Sequence, residues 1–216
     1  MAKKSEETRE RILDTALALF RERGFDTTTM RDVANEAGVA TGAAYYYFRA
    51  KEDLVLAFYL RTADEARELL PDALAATKDL RKRILAIVDL KYEQFAEHRE
   101  LLTAMLKVGT DPRHPLSPFG KETKAVRDES IGWFERALEG VSVPKDIAAY
   151  LPRLLWLWQM ALLMYWLWDE TPGQTRTRKL TDATLDLILQ LLKLGSLPLM
   201  GPIRKRVVKV LRIAEE

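Results

Sequence analysis

The stretch "TGAAYYYFRAKEDL", residues 41–54, sets three tyrosines and a phenylalanine in succession ahead of basic residues and a helix start. At about 100° per helical residue, four consecutive aromatics point in different directions and cannot all enter one core. Phe48 shares a face with Thr41, Ala44 and Tyr45, whereas Tyr46 and Tyr47 turn elsewhere, toward water, a partner or a ligand. What lies on either side of the stretch decides among these.

Upstream, Ile12, Leu13, Ala16, Leu19 and Phe20 form an apolar stripe at helical spacing, and Gly24 closes that helix after Arg21 and Arg23. In "TTTMRD", Thr29 followed three residues later by Asp32 has the form of a capping box. Met30, Val33, Ala34 and Ala37 then repeat as one face of a second helix that Gly38 ends. A third short helix, residues 41–48, follows "GVA", and a fourth starts near Lys51 with Glu52 and Asp53 in its first turn, where acids favour the helix dipole. Two helices joined by a short turn after a glycine predict a helix-turn-helix, which presents its second helix to the DNA major groove. Thr41, Gly42 and Ala43 are small, so backbone and base edges can approach closely. Phenol hydroxyls can bond phosphate oxygens and fix register without reading sequence. On this reading Phe48 anchors the core, and Tyr45 and Tyr47 face a phosphate backbone.

At these residues the chain resembles a known family. "TTTMRDVANEAGVATGAAYYYFRAKEDL", residues 27–54, looks like the DNA-binding domain of the TetR family of bacterial transcriptional repressors. Thr29, Val33, Ala34, Ala37, Gly38, Val39, Gly42, Tyr45, Tyr47, Phe48, Lys51, Glu52 and Leu54 fall on its pattern, and the resemblance covers roughly residues 8 to 56. It implies that Arg31 and Thr41, with Gly42 beside them, contact bases, and that Thr29, Tyr45, Tyr47 and Lys51 hold phosphates. Ala40 and Ala50 depart from the pattern, each standing where a polar helix cap is usual. The resemblance also implies a larger second domain that binds an effector and dimerises. The chain thus divides into a helix-turn-helix domain, residues 1–50, and a helical ligand-binding and dimerisation domain, residues 51–216, in an all-α fold.

Composition fits this plan. Of 216 residues, 48% are hydrophobic and 31% charged, an ordinary globular balance. Net charge is only +2, and residues 1–51 hold nine basic against eight acidic side chains, so DNA binding must rest on basic groups sorted to one face. The absence of cysteine excludes disulfides, thiolate metal sites and cysteine nucleophiles. It fits a cytoplasmic location, as does the lack of an apolar signal-peptide core in the first thirty residues. The most apolar run, "LLWLWQMALLMYWLW", residues 154–168, carries Gln159 centrally. At 15 residues it falls short of the roughly 20 a membrane span needs, and predicts a helix covered on most sides.

Beyond residue 51 the pattern predicts helices over about 51–70, 78–98, 100–108, 118–139, 145–170, 176–194 and 200–214, broken at Pro71 and at turn-forming segments. Helices 145–170 and 176–194 are expected to be the halves of a homodimer interface, with Leu187 and Leu191 on its stripe. A leucine at position 158 does not apply to that interface, since the residue there is Trp158. The five tryptophans fall between residues 133 and 168, and Met105, Trp133, Trp156, Met160, Met164 and Tyr165 are candidates to line an apolar effector pocket. His98 and His114 lack carboxylates at ligand spacing, and no nucleophile–base set or glycine-rich phosphate loop occurs, so neither metal, cofactor nor catalysis is expected. The tail "IRKRVVKVLR", residues 203–212, carries five basic residues. Its stripe of Ile203, Val207, Val210 and Leu211 is expected to pack on the second domain. The expected function is a dimeric transcriptional repressor, released from a double-stranded DNA operator by a small, mainly apolar effector. The alternative is a helical ligand-binding or membrane-surface protein without a DNA function.

Overall fold

The structure is a computed structural model that describes residues 2–109 and 111–213. It contains helices and no strand among those residues: α1 (Ala2–Arg23), α2 (Met30–Glu36), α3 (Thr41–Tyr47), α4 (Lys51–Ala75), α5 (Leu80–Phe95), α6 (Arg99–Gly109), α7 (Lys124–Ala137), α8 (Lys145–Ala148), α9 (Leu151–Trp168), α10 (Thr175–Gly195) and α11 (Gly201–Ile213). Single 3-10 turns at Ala96–His98, Pro172–Gln174 and Pro198–Met200 join some of them. Two compact units result, one from Met1–Glu68 with Lys91–Glu129 and one from Leu69–Leu90 with Ser130–Glu216. Helices α4, α5 and α7 each contribute to both.

In the first unit the two apolar stripes of the N-terminal helices form one core. Ile12, Leu13, Ala16, Leu19 and Phe20 of α1 are buried with Met30, Val33 and Ala34 of α2, Ala44 of α3, and Phe48. One long and two short helices cannot close that core alone. Leu54, Val55 and Phe58 of α4 complete it. Arg61 of α4 then reaches back to α1, donating to Asp14 Oδ1 at 2.6 Å and Glu10 Oε2 at 2.7 Å. The unit therefore runs past residue 50 because the N-terminal helices need the first half of α4 as their floor.

In the second unit Trp133, Phe134, Leu155, Trp156, Leu162, Trp166 and Leu185 are buried beside Ile84, Ile87 and Val88. Gln159, the polar residue at the centre of the apolar run, is buried and donates to the Ile87 carbonyl at 3.3 Å. Arg83 gathers four backbone carbonyls at helix ends: Leu74 at 3.1 Å, Thr77 at 2.7 Å, Ala137 at 3.4 Å and Glu139 at 2.9 Å. A guanidinium suits such a place because it offers five donors in a plane to carbonyls that helix termini leave unpaired.

Position 158 has a task of its own inside the protomer. The residue there is Trp158, not a leucine, and it is half-buried on α9. Its indole Nε1 donates to Thr184 Oγ1 of α10 at 3.0 Å, a bond that no leucine could make. Trp158 therefore ties α9 to α10 within one chain and is not grouped with the open Leu187 and Leu191.

Several boundaries differ from the sequence expectation. Helix α4 continues through Pro71 to Ala75 instead of ending there. Proline removes one intrahelical hydrogen bond, and the burial of Leu70 and Leu74 on either side outweighs that loss. The helix expected over 78–98 changes to a 3-10 turn at Ala96, and the one expected from 118 begins only at Lys124. The helix expected over 145–170 is two, α8 and α9, and Pro152 occupies the first turn of the second, where no N–H is needed. Helix α11 is described to Ile213, so an end at residue 214 lies outside the described residues.

The C-terminal stripe does not pack as expected. Ile203, Val207 and Val210 are exposed, and α11 is turned so that Arg204, Val208 and Leu211 face inward. Arg204 fixes that rotation, as its Nε bonds the Asp146 carboxylate at 3.0 Å and its Nη1 donates to the Gly195 carbonyl at 2.5 Å.

Candidate nucleic-acid interface

Local chemistry sets the geometry of the α2–α3 pair. The capping box forms at the start of α2: the Asp32 amide donates to Thr29 Oγ1 at 3.2 Å, and the Thr29 amide donates to Asp32 Oδ2 at 2.9 Å. The Thr29 hydroxyl also donates to Asp32 Oδ2, at 2.6 Å. This side-chain bond, together with the backbone one, holds the Asp32 carboxyl below the usual carboxylate range. Both donors of Thr29 are thereby engaged, so its role in this structure is to start α2.

The turn between the helices is a Schellman motif. The Gly38 amide donates to the Asn35 carbonyl at 3.1 Å and the Val39 amide to the Ala34 carbonyl at 3.0 Å. Gly38 has φ +65°, a left-handed conformation in which a residue with a Cβ is strained. Helix α3 then starts without a side-chain cap, since Ala40 occupies the N-cap and Thr41 does not take over.

On α3, Gly42, Tyr45 and Tyr46 are exposed and Thr41 half-exposed, while Ala44 turns into the core. Tyr46 is 81% exposed, the most open aromatic of the stretch, although the sequence reading gave it no role. Its spacing four residues after Gly42 was the available signal. Tyr45 belongs to the solvent arc, not to the face of Phe48. Phe48 lies past the end of α3 in extended backbone, φ −139° and ψ 113°, and that departure from the helix lets its ring enter the core while Tyr45 stays out. Tyr47 sits on the flank, its hydroxyl 3.2 Å from Ser5 Oγ of α1 and its ring edge-on to Tyr46 at 5.2 Å.

Gly42 has a further significance. A Cβ built there meets nothing within 4 Å, so nothing in the fold requires glycine. Glycine inside a helix costs roughly 1 kcal/mol relative to alanine, which is explained if an external surface comes close to the backbone at that point. Arg31 is exposed and has no ion-pair partner among the described residues. Lys51 is half-buried: its Nζ donates to the Phe25 carbonyl at 2.6 Å and the Asp26 carbonyl at 3.3 Å, over the Phe25 ring. One of its three protons remains for a phosphate. The structure thus leaves Arg31, Gly42 and Tyr45 exposed and Thr41 and Tyr47 half-exposed on the α2–α3 pair, gives Lys51 a second, structural task, and engages the exposed Thr29 with Asp32.

The expected pocket residues are divided between the two units. Met105 is buried in the first unit, where the Tyr59 hydroxyl donates to its sulfur at 3.5 Å. Trp133 and Trp156 are buried in the second unit, and Met160 is half-buried there. Met164 and Tyr165 stand on the exposed side of α9, because the helix places them away from buried Leu162, Leu163 and Trp166. Between α4 and α5 of the first unit lies a polar cluster that sequence reading did not find. Lys91 Nζ donates to Gln94 Oε1 at 2.8 Å and Thr62 Oγ1 at 3.4 Å, and Gln94 Nε2 donates to Glu65 at 2.9 Å. Burial pulls the Lys91 ammonium down to about 8 against the opposing pull of Glu65 and Glu129, and pushes the Tyr59 phenol up to about 12. Among the described residues, no group of three or more His, Cys, Asp or Glu side chains could hold a metal ion.

A paired α2–α3 with a left-handed glycine turn and an exposed, small-then-aromatic second helix is a helix-turn-helix of the nucleic-acid-binding type. Residues 12–58 match the family model for bacterial regulatory proteins of the tetR family, and residues 83–207 match that for a tetracyclin repressor-like C-terminal domain. The chain belongs to the tetR family. It is 28% identical over 111 residues to the uncharacterized HTH-type transcriptional regulator YerO of Bacillus subtilis, covering 50% of this chain and 38% of that protein. It is 35% identical over 85 residues to the HTH-type transcriptional repressor KstR2 of Rhodococcus jostii, covering 39% and 42%. The chain therefore spans about two fifths of the length of these curated relatives, which are regulators and not enzymes. Its fold is similar to that of Thermus thermophilus FadR, a TetR-family repressor solved in complex with lauroyl-CoA, with TM-score 0.63 and 24% identity over 88% of this chain and 95% of that one.

Within the interface, two substitutions should separate positioning from reading. Tyr47→Phe removes one hydroxyl and keeps the ring, so binding should weaken alike for all duplexes, with the ranking of sites unchanged. Arg31→Ala should flatten the preference at one base position, since a bidentate guanidinium–guanine contact discriminates by about 1–3 kcal/mol. Titrations on an operator and its single-base variants check both. A Tyr47→Phe loss confined to one base position, or an even Arg31→Ala loss across all variants, would reverse the assignments.

Proposed function

We propose that this chain is a homodimeric, sequence-specific DNA-binding repressor that a small, mainly apolar effector releases from its operator in the cytoplasm. The observation that carries the DNA reading is the exposed arc of α3, with an uncapped N-terminus and a glycine that the fold itself does not need. Arg31, Thr41 and Gly42 meet bases, and Tyr45, Tyr47 and the remaining proton of Lys51 meet phosphates. The homodimer forms through α9 and α10. Leu187 and Leu191 are 54% and 56% exposed on α10, and Leu154, Leu157, Met164, Tyr165 and Trp168 are exposed on α9. Two-fold pairing would cover this face and match a two-fold operator.

The effector site that the first unit supports best is the region of Tyr59, Lys91, Phe95 and Met105. There Tyr59 and Met105 are in contact, and the Lys91 ammonium, which among the described residues has no carboxylate within ion-pair distance, lies over the Phe95 ring. FadR was solved with lauroyl-CoA, whose lauroyl chain is apolar and whose CoA part is polar and phosphorylated, so it supports an apolar portion of the effector and no more. Effector and operator then bias one equilibrium of the head orientation, so each weakens the other by the same factor. Screening apolar against polar compound libraries for operator release, with tryptophan fluorescence as a parallel measure of binding, tests this reading. Compounds that bind should release DNA at matching concentrations. If only compounds without an apolar moiety release DNA, or if binding leaves operator affinity unchanged, the effector reading is wrong. The alternative, a ligand-binding or membrane-surface protein without a DNA function, has less support, because residues 12–58 match the family model for bacterial regulatory proteins of the tetR family.

A further inference from the structure

Helix α1 lines the core of the first unit with one face and touches the end of α3 with another. Ser5 Oγ lies 3.2 Å from the Tyr47 hydroxyl. Arg9, four residues later, sets its guanidinium 5.1 Å from the centre of the Phe48 ring. Residues at i and i+4 stand one above the other on a helix, so both contacts come from a single strip of α1. They fall on consecutive residues, the last of α3 and the first beyond it.

That strip is itself held in place. Arg61 of α4 bonds Asp14 and Glu10, and Ile12 and Leu13 are buried. Arg9 Nη1 donates to Glu10 Oε1 at 3.1 Å and pairs with Glu6 at 3.7 Å, so its charge is balanced within α1. Arg9 therefore acts on α3 as a cation against the Phe48 ring and not as a phosphate ligand.

Helix α3 needs support at this end. It is seven residues long and has no side-chain cap at its start, and a helix that short has little stability of its own. At Phe48 the chain leaves helical geometry altogether. The Tyr47 ring meets Tyr46, which is itself open to solvent, so that contact cannot fix a direction for the hydroxyl. The hydrogen bond with Ser5 can.

We infer that Ser5 is a positioning residue for DNA binding: from α1 it holds the Tyr47 hydroxyl in place to meet a phosphate, while Arg9 one turn on keeps Phe48 seated. The role rests on the reading of Tyr47 as a phosphate contact. When Tyr47 donates its proton to a phosphate oxygen, Ser5 donates its own to the Tyr47 oxygen, and the three groups form one chain of hydrogen bonds. Each bond in such a chain polarises the next, which makes the phenol a stronger donor. A hydroxyl that is already aimed also loses less freedom when DNA arrives.

The test is a double-mutant cycle with the full-length chain, titrated on a duplex enriched from random DNA and on its scrambled counterpart. It compares the wild type, Ser5→Ala, Ser5→Thr, Tyr47→Phe and Ser5→Ala/Tyr47→Phe. Ser5→Ala should weaken binding to both duplexes by about three- to tenfold. Because Ser5 is exposed, the thermal unfolding midpoint should stay where it is. Ser5→Thr keeps a hydroxyl and should bind within about twofold of the wild type. In the Tyr47→Phe background, removing the Ser5 hydroxyl should change affinity by less than about 1.5-fold, since its partner is gone. A Ser5→Ala chain that binds like the wild type, or a Ser5→Thr chain as weak as Ser5→Ala, overturns the positioning role. A Ser5→Ala loss as large with Tyr47→Phe as without it makes Ser5 a contact in its own right and overturns it too. So does an affinity loss accompanied by a lower unfolding midpoint, which assigns Ser5 to the stability of α1. Tyr47→Phe that binds both duplexes like the wild type removes instead the phosphate reading on which the role stands.

Discussion

Leu191→Glu, and equally Leu187→Glu, should yield monomers whose operator affinity falls by at least about 100-fold while the N-terminal helices remain folded. Both leucines stand in the open on α10, so the substitutions leave the protomer's core untouched. In a two-fold dimer each places a carboxylate from both copies into one apolar seam, where burial without a partner is costly. Losing the dimer uncouples the two heads. Joining two half-site contacts raises affinity by roughly 10² to 10⁴ without any new contact, and that factor is what the monomer forfeits. Sedimentation and operator titration on one preparation check it, with the α1–α4 helicity as the control for folding. A variant that stays dimeric, or a monomer that binds its site as tightly as the wild type, would remove α10 from the interface.

The largest stability effect should come from Asp169, between α9 and α10. Its carboxylate is buried; Oδ1 accepts from the Thr171 amide at 3.0 Å and hydroxyl at 2.5 Å, and Oδ2 from the Thr177 amide at 2.8 Å and hydroxyl at 2.7 Å. Burial alone would push this carboxyl up, but the hydrogen bonds from Thr171 and Thr177 hold it well below the usual carboxylate range. Asp169→Ala leaves the Thr177 amide and hydroxyl buried at the start of α10 without their acceptor, and should lower the unfolding midpoint by about 5–10 °C at neutral pH. Because the folded carboxyl titrates below its unfolded value, its contribution is whole above about pH 4 and is lost as the pH falls further. The gap between wild type and variant should therefore narrow steadily as the pH falls below about 4. Thermal melts across the acid range decide this, and a gap that stays constant over that range would mean the aspartate stabilises through packing.

How much of this was legible in the sequence depended on whether the deciding partner was near in the chain. The α2 capping box joins residues three apart, and the stripes of α1 and α2 are periodic within one helix, so each was readable from spacing. Helix α4 running through Pro71 was not, because its continuation depends on burying Leu70 and Leu74 against residues distant in sequence. Thr29 matched a phosphate-binding position by pattern, but which way its hydroxyl turns is settled by Asp32. The Lys91–Gln94–Glu65 cluster needs α4 beside α5, and neither helix shows that from its own period. Trp158 read as one more apolar residue of a long run, and only Thr184, on the next helix, shows what its indole N–H is for. For Asp169 the sequence showed only turn formers nearby; its charge reads as surface until Thr171 and Thr177 are seen around it. The α11 stripe was found, but Arg204 turns it outward.

The most direct test of the central claim is selection from random DNA duplexes with the full-length chain, followed by titration of the enriched sequence across a salt series. The account predicts a motif with two-fold symmetric halves, bound in preference to scrambled duplex by at least about 10³-fold, with affinity falling steeply as salt rises. No enrichment, or an enriched site that lacks two-fold symmetry and is bound equally well by Leu191→Glu, would contradict it.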